Sequence, residues 1–323
     1  MSKLTRLILA ATAGLGLATA ASAEITKPEC VAPAQPGGGF DLTCRVAQTG
    51  MTAELPGPME VTFMPGGIGA VAFNEFNTNR TDDPNAIVAF STGSILNLLV
   101  GKYGPYTLDD ARWLAGAGVD YGAVIVKADS PFKTLDDLVA AIKAGPGSVV
   151  LGAGGSVGSQ DWMKAALIAK AGGADPKAMR YAAFDGGGEA LAGLLGGAIQ
   201  VYTGDMAEMA AHMDGSLRIL ASLSEERLPA PYADVPTARE QGYDAVWPIM
   251  RGYYLGKNVD QADYDKWVEM FQAAYADPNF QKVQQEKGLF PLPKAGADFD
   301  AAVRAQADTL KALAVEAGLM PGG

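Results

Sequence analysis

The chain has 323 residues, with 36 acidic against 25 basic side chains, one histidine, two cysteines and a formal net charge of −11. A balance this acidic argues against nucleic acid and against anionic membrane surfaces as partners, though not against an anionic ligand, because the electrostatics of a site are local. So long a chain exceeds one small core and suits two lobes of roughly 150 residues each.

The N-terminus reads as an address. Lys3 and Arg6 precede an apolar run from Leu7 to Ala20, short for a bilayer span, and Ala21-Ser22-Ala23 is a small-x-small cleavage site. Residues 1–23 are therefore expected to be a signal peptide, with Glu24 the first residue of an exported chain. A retained anchor is the alternative, and no longer apolar run supports it. Losing Lys3 and Arg6, with no acid among the removed residues, moves the charge from −11 to −13.

The apolar run Cys30–Ala34 reads as a strand, followed by Pro36-Gly37-Gly38-Gly39-Phe40-Asp41 and a helix expected from Leu42. Three glycines permit a sharp turn and close approach of the backbone. Asp41 is placed to cap the helix, and bare amides at a helix start suit an anion. An ordinary strand-to-helix turn fits the same residues. Cys30 and Cys44 flank this loop, and in an oxidising compartment they are expected to pair as a staple. A metal pair or a reactive thiol is the weaker alternative, with no histidine nearby.

The theme repeats. Glu60–Phe63 reads as a strand running into Met64-Pro65-Gly66-Gly67 and a helix over 68–77, and the apolar run Ala86–Phe90 ends in Ser91-Thr92-Gly93-Ser94 before a helix from Ile95. Strand, small-residue loop and helix in that order predict a parallel sheet with crossover helices. A second set begins near residue 122. It comprises a strand at 123–126, a helix at 135–144, a strand at 148–151 entering the glycine-rich loop 152–159, and a helix at 161–171. A strand at 180–184 then ends in Asp185-Gly186-Gly187-Gly188 before a helix at 189–195, and strands follow at 199–202, ending at Thr203-Gly204-Asp205, and at 217–223. Residues 228–237 are proline-rich and irregular, 246–255 are β-like, and 260–320 read as helices. The fold class expected is α/β, with two lobes, each a mostly parallel sheet flanked by helices, and chain crossing between them.

In such sheets the loops at the carboxyl ends of strands face one crevice. Residues 36–41, 64–67, 91–94, 154–159, 185–188 and 203–205 would all lie there, small or polar and mostly preceding helices. That composition suits a small ligand held by amides and hydroxyls. A lysine-bearing phosphate loop is missing, and Gly152–Gly158 lacks the acidic partner of a dinucleotide site. His212 sits among Met209, Ala210, Ala211 and Met213 and reads as a packed surface histidine, so neither a zinc site nor catalysis is called for. Asp41, Asp185 and Asp205 fit capping at least as well as base chemistry. Arg251, in the apolar stretch Trp247–Tyr253, is the cation singled out. It reads either as an arginine on an edge strand or as a forked donor to a ligand carboxylate. Phe40, Phe184 and Tyr202 are either crevice walls or core.

Together these residues resemble a known family. Cys30–Cys44, with its glycine loop, is similar to the mature N-terminus of tripartite tricarboxylate transporter binding proteins, and Met64–Ala70 to their second glycine loop. Leu194-Leu195-Gly196-Gly197, Leu217–Ala221, Arg227-Leu228-Pro229 and Asp234–Gly242 are similar to later signatures, and the paired cysteines to the tricarboxylate-binding branch. The resemblance implies a two-lobed periplasmic binding protein, type II in fold. It would be a monomer that closes on a citrate-like di- or tricarboxylate without cofactor or metal. It would deliver that acid to a permease of one large and one small integral subunit. The lobes would be residues 24–121 with 223–323, and 122–222. Ligand contacts are expected from Gly37, Gly38, Gly39, Phe40 and Asp41; Pro65, Gly66 and Gly67; Ser91 and Thr92; Gly155, Ser156 and Ser159; Phe184, Asp185 and Gly186; Tyr202, Thr203 and Asp205; and Arg251. One departure is Ser159-Gln160-Asp161-Trp162, where many relatives place a histidine. An extracytoplasmic sensor subunit and a carboxylate-processing enzyme are the rival functions.

Overall fold

A computed structural model of the protein describes residues 25–321, so the signal-peptide reading of residues 1–23 lies outside it. The first units follow the expected order: β1 (Glu29–Ala32) and α1 (Gly39–Gly50), β2 (Glu60–Phe63) and α2 (Ala70–Thr78), β3 (Ala86–Ser91) and α3 (Thr92–Leu99). Every residue of β3 is buried, as its unbroken apolar run requires of a strand covered on both faces. A long strand β4 (Ala111–Tyr121) then leads into β5 (Ala123–Lys127). The second set is α4 (Leu135–Ala144), β6 (Val150–Gly154), α5 (Gln160–Ala171), β7 (Arg180–Phe184), α6 (Gly187–Leu195), β8 (Val201–Tyr202) and β9 (Leu217–Ser222). After the irregular stretch come β10 (Pro248–Gly256), α7 (Gln261–Ala276), α8 (Pro278–Glu286) and α9 (Ala297–Glu316).

Two five-stranded sheets result, in the orders β2-β1-β3-β10-β4 and β7-β6-β8-β5-β9. Three neighbouring strands are parallel in each, and the fourth runs against its neighbours on both sides. The reversed strand has the same origin in both sheets. It is the first strand the chain lays down after crossing from the other half: β5 follows β4, and β10 follows β9. The two crossings are bonded to each other, with Leu223 N–H donating to Gly122 O at 2.7 Å, Trp247 N–H to Leu223 O at 2.8 Å and Gly122 N–H to Trp247 O at 3.0 Å. Gly122 is required here, since a Cβ would lie 2.6 Å from Lys164 Cδ and 2.9 Å from Leu223 Cδ1.

The core of the first half is aromatic. Phe90 lies edge-on to Trp113 at 4.7 Å between ring centres, and Phe73, Tyr254 and Phe299 complete the cluster. The helix α9 packs on α3 and β4, while its C-terminal end reaches the second half: Glu316 pairs with Lys170, and Leu319 fills the space beside Gly158.

The expected staple is present. Cys30 on β1 and Cys44 on α1 are disulfide-bonded, fully buried, with Cα atoms 5.5 Å apart and a sequence separation of 14. Closing a loop of that size restrains the unfolded chain by about 3 kcal/mol. The double variant Cys30→Ser, Cys44→Ser is expected to lose about that much stability, read from its denaturant midpoint.

Candidate ligand-binding site

A cavity of about 50 Å³ lies between the sheets, and the helices α1, α3, α5 and α6 all begin on its wall, through Gly38-Gly39, Ser91 and Gly93, Ser159-Gln160 and Gly186-Gly187. It continues into an outer cavity of about 320 Å³, which shares Ile68, Asn97 and Ser159 and adds Gly67, Lys102, Gly155, Ser156, Phe184 and Asp185. The strand-end loops thus meet at one crevice, as the parallel topology demands. A larger cavity, about 540 Å³, lies apart from these loops among Pro229, Pro231, Pro291 and Pro293, and its largely apolar wall offers little to an anion.

Behind the inner cavity runs a buried ion-pair network. Lys164 Nζ meets Asp205 Oδ1 at 2.5 Å and Asp161 Oδ1 at 2.8 Å. Arg251 Nη2 meets Asp205 Oδ2 at 2.6 Å and Asp120 Oδ2 at 2.7 Å, with Nε at 3.0 Å from the same Asp120 oxygen. Asp120 belongs to β4 and Arg251 to β10 of the first sheet, whereas Lys164 belongs to α5 of the second half, so Asp205 ties the halves together. Burial pushes the Asp120 and Asp161 carboxyls up, with Asp205 adding to it, despite their cations. Burial would raise Asp205 as well, but Lys164 and Arg251 on its two sides hold it below the usual carboxylate range.

Glu208, in the 3₁₀ turn Ala207–His212, extends this network to the cavity. Its Oε1 accepts the Gly39 N–H at 2.8 Å, its Oε2 accepts the Asp205 N–H at 3.3 Å, and the Tyr202 hydroxyl bonds to it. Burial, then the nearby Asp205 carboxylate, push the Glu208 carboxyl up to about 8.

Several sequence expectations change at this point. Asp41 is not the cap of α1, which begins earlier, with Gly38 at the cap position. Glycines impose no Cβ clash on an early start, and Asp41 turns back to accept the Gly37 N–H at 2.9 Å while pairing with Arg45. Two amides of the glycine loop are therefore already bonded to protein carboxylates, Gly37 to Asp41 and Gly39 to Glu208. Arg251 is on an interior strand rather than an edge, is 1% exposed, and has its guanidinium against Gly39, where a Cβ would lie 2.2 Å from Nη1.

Of the residues named from sequence, Gly38, Gly39, Phe40, Ser91, Ser159, Gly186, Asp205 and Arg251 wall the inner cavity, and Gly67, Gly155, Ser156, Phe184 and Asp185 the outer one. Gly37 and Asp41 face a separate depression beside Arg45 and His212. Pro65, Gly66, Thr92, Tyr202 and Thr203 wall neither cavity. Thr92 Oγ1 accepts the Met250 N–H at 2.9 Å, Thr203 Oγ1 donates to Asp161 O at 3.0 Å, and Tyr202 is spent on Glu208. These groups hold the scaffold.

Sequence reading missed Asn97 and Gln160. Both wall the inner cavity, 3% and 8% exposed, and Asn97 Oδ1 and Gln160 Oε1 are buried without a hydrogen-bond partner among the described residues. Asn97 is concealed in the apolar helix Thr92–Leu99, one turn past the loop that drew attention. Gln160 lies in the stretch Ser159–Trp162, already marked as a departure from the relatives. Buried orphan oxygens of this kind cost about 1–3 kcal/mol each unless something supplies a donor.

Two α/β sheets joined by crossing strands, with helix N-termini and unsatisfied polar groups converging between them, define a two-lobed ligand-binding protein. Residues 43–319 match the sequence profile of the tripartite tricarboxylate transporter family receptor, and the chain belongs to that family. Its members are substrate-binding proteins and not enzymes, in agreement with the sequence reading. A similar curated protein is the UPF0065 protein in the gbd 5' region of Cupriavidus necator, 28% identical over 284 residues, 85% of this chain and 84% of its own length. Among solved structures, the periplasmic binding protein BugD has a TM-score of 0.81 at 22% identity, covering 91% of this chain and 98% of its own. MatC of Rhodopseudomonas palustris, solved with bound malate, has 0.79 at 18%, covering 89% and 98%. Another R. palustris protein, solved with adipate, has 0.81 at 17%, covering 90% and 97%. These TM-scores establish a shared fold. No helix among the described residues is long and apolar enough to cross a membrane.

Proposed function

We propose that the protein captures a small di- or tricarboxylic acid between its lobes in the periplasm and presents it to a tripartite transporter permease with one large and one small integral subunit. The lobes in this reading are residues 24–121 with 223–323, and 122–222, hinged at the paired crossings. The observation that carries it is the convergence of four helix N-termini on one cavity, which suits an anion, with the orphaned oxygens of Asn97 and Gln160 beside them marking a place for a further polar group of the ligand. A protein without a ligand to receive there gains nothing from leaving such groups buried and unpaired. The malate and adipate of the related folds are both dicarboxylates, which supports the ligand class.

Titrating the purified mature chain with citrate, tricarballylate, malate, succinate, adipate, aspartate and glutamate tests the proposal. Saturable heat and a raised melting temperature are expected with at least one of them. Ligand at 100 times its Kd adds about 2.7 kcal/mol of stability. No heat and no shift with any acid would overturn the reading.

A further inference from the structure

Three glycines stand at the start of α6, and each has a different reason. Gly186 has a φ of +113°, a left-handed backbone that other residues rarely adopt. Gly187 is enclosed by its own half: a Cβ there would lie 2.2 Å from Glu208 Oε1 and 2.5 Å from the Tyr202 hydroxyl oxygen. Gly188 has neither reason. It lies inside α6 without a positive φ, where alanine is the better helix former. The three atoms nearest to a Cβ built at Gly188 all belong to the other half: Pro36 O at 2.2 Å, and Gly37 C and Pro36 C at 3.1 Å.

The first half answers in kind. Gly38 has an ordinary extended backbone, φ −101° and ψ −172°, yet a Cβ on it would lie 2.9 Å from Gly188 N and 3.0 Å from Gly187 N. The two glycine loops thus meet main chain against main chain, and Gln35 N–H donates to Asp185 O at 3.4 Å beside them. The halves also touch at the mouth, where Lys102 Nζ lies 3.3 Å from Ser156 Oγ and 3.0 Å from Val157 O, but a lysine can swing aside. Main chain cannot. An ordinary C···O contact is about 3.3 Å, so a methyl at Gly188 would hold the two loops about 1 Å apart. Gly188 itself walls neither the inner nor the outer cavity. Local helix chemistry asks for a side chain at this position, and the seating of one half on the other forbids it.

We propose that Gly188 is a positioning residue for closure: its missing side chain lets the second half seat against Pro36-Gly37-Gly38, and a side chain there stops the cleft short of its shut state while each half stays folded. This rests on the reading that the halves close on an organic acid, and adds the contact that limits the closing.

The test compares the full mature protein with Gly188→Ala. Affinity is read by calorimetric titration with citrate, malate, succinate and adipate. Closure is read as the distance between nitroxide labels at Val71→Cys and Leu195→Cys, exposed sites on opposite halves of a protein whose own cysteines are both in the disulfide. Without ligand, Gly188→Ala is expected to melt close to wild type. It is expected to bind the tightest acid of the panel at least fivefold more weakly, and its label distance at saturation is expected to exceed that of wild type. Gly38→Ala, on the other side of the contact, is expected to change both quantities in the same direction by less, and it keeps the proposal testable if Gly188→Ala fails to fold. Gly147→Ala, in the second half with open space at its Cβ position and no positive φ, is expected to match wild type throughout. A loss smaller than fivefold in Gly188→Ala, or a saturated label distance equal to that of wild type, would overturn the inference and leave the carboxylate reading intact. Melting temperatures well below wild type in both variants would show that these glycines serve the fold, and would overturn it too. If wild type binds no acid, the functional reading itself falls and takes this inference with it.

Discussion

Replacing Arg251 with alanine is expected to destabilise the protein by about 3–5 kcal/mol, read as a lower denaturant midpoint with an unchanged slope. The magnitude follows from what is left behind. Asp120 is fully buried and loses its cation, while Asp205, 6% exposed, keeps only Lys164. A carboxylate stranded in that way costs far more than an exposed ion pair contributes. Adding Asp120→Asn should recover part of the loss, because an amide oxygen can still accept the Ala207 N–H that Asp120 Oδ1 takes at 3.0 Å. Additive losses in the two single variants would show that the pair does not act as a unit. The sequence reading gave Arg251 to the ligand. Here its main partners are internal, so stability is expected to respond to its loss at least as clearly as affinity.

The second large effect is one of pH. Glu208 has its carboxyl raised from 4.5 to about 8, chiefly by burial. Between those values the folded protein binds a proton that the unfolded chain has released, so ν_U − ν_N is negative and stability falls as pH rises. The stabilising contribution is complete below the unfolded value near 4.5 and is lost by the folded value near 8. The slope for one such group is at most about 1.4 kcal/mol per pH unit. Other buried groups titrate too, so the quantity to measure is the stability of wild type minus that of Glu208→Gln across the range. That difference is expected to decline through the window. A flat difference would mean that the proton resides elsewhere in the network.

Much of the scaffold was legible because its signals are local. The apolar run at Ala86–Phe90, the glycine stops and the alternation of strand with helix each reflect a rule acting within ten residues, and β2, β7 and α4 fall where periodicity places them. The strand β4 was missed for the opposite reason. Its sequence ARWLAGAGVDY carries Gly116 and Gly118 where ordinary strands carry bulk, because another segment comes close: a Cβ on Gly116 would lie 2.6 Å from Leu292 O. That contact joins residues 176 positions apart, and nothing near β4 in the chain announces it. The site divides along the same line. Loops that build the crevice wall could be found, because small residues after strands are a local pattern. Which side chains wall the inner cavity could not, since Asn97, Gln160 and Glu208 come together there only when the two halves meet.

The reversed strand in each sheet has a consequence for the order in which the molecule can be assembled. β4 has no pairing of its own with β3, because β10 lies between them. Until residues 248–256 exist and have inserted, the first sheet is a three-stranded fragment with β4 unattached, although all its other strands were made by residue 121. The chain therefore commits to its native state late, after most of it has emerged, and closing those distant pairings is slow by nature. The second sheet carries no such dependence, since its five strands all lie within residues 123–222, so the two halves are expected to differ in when their sheets can close.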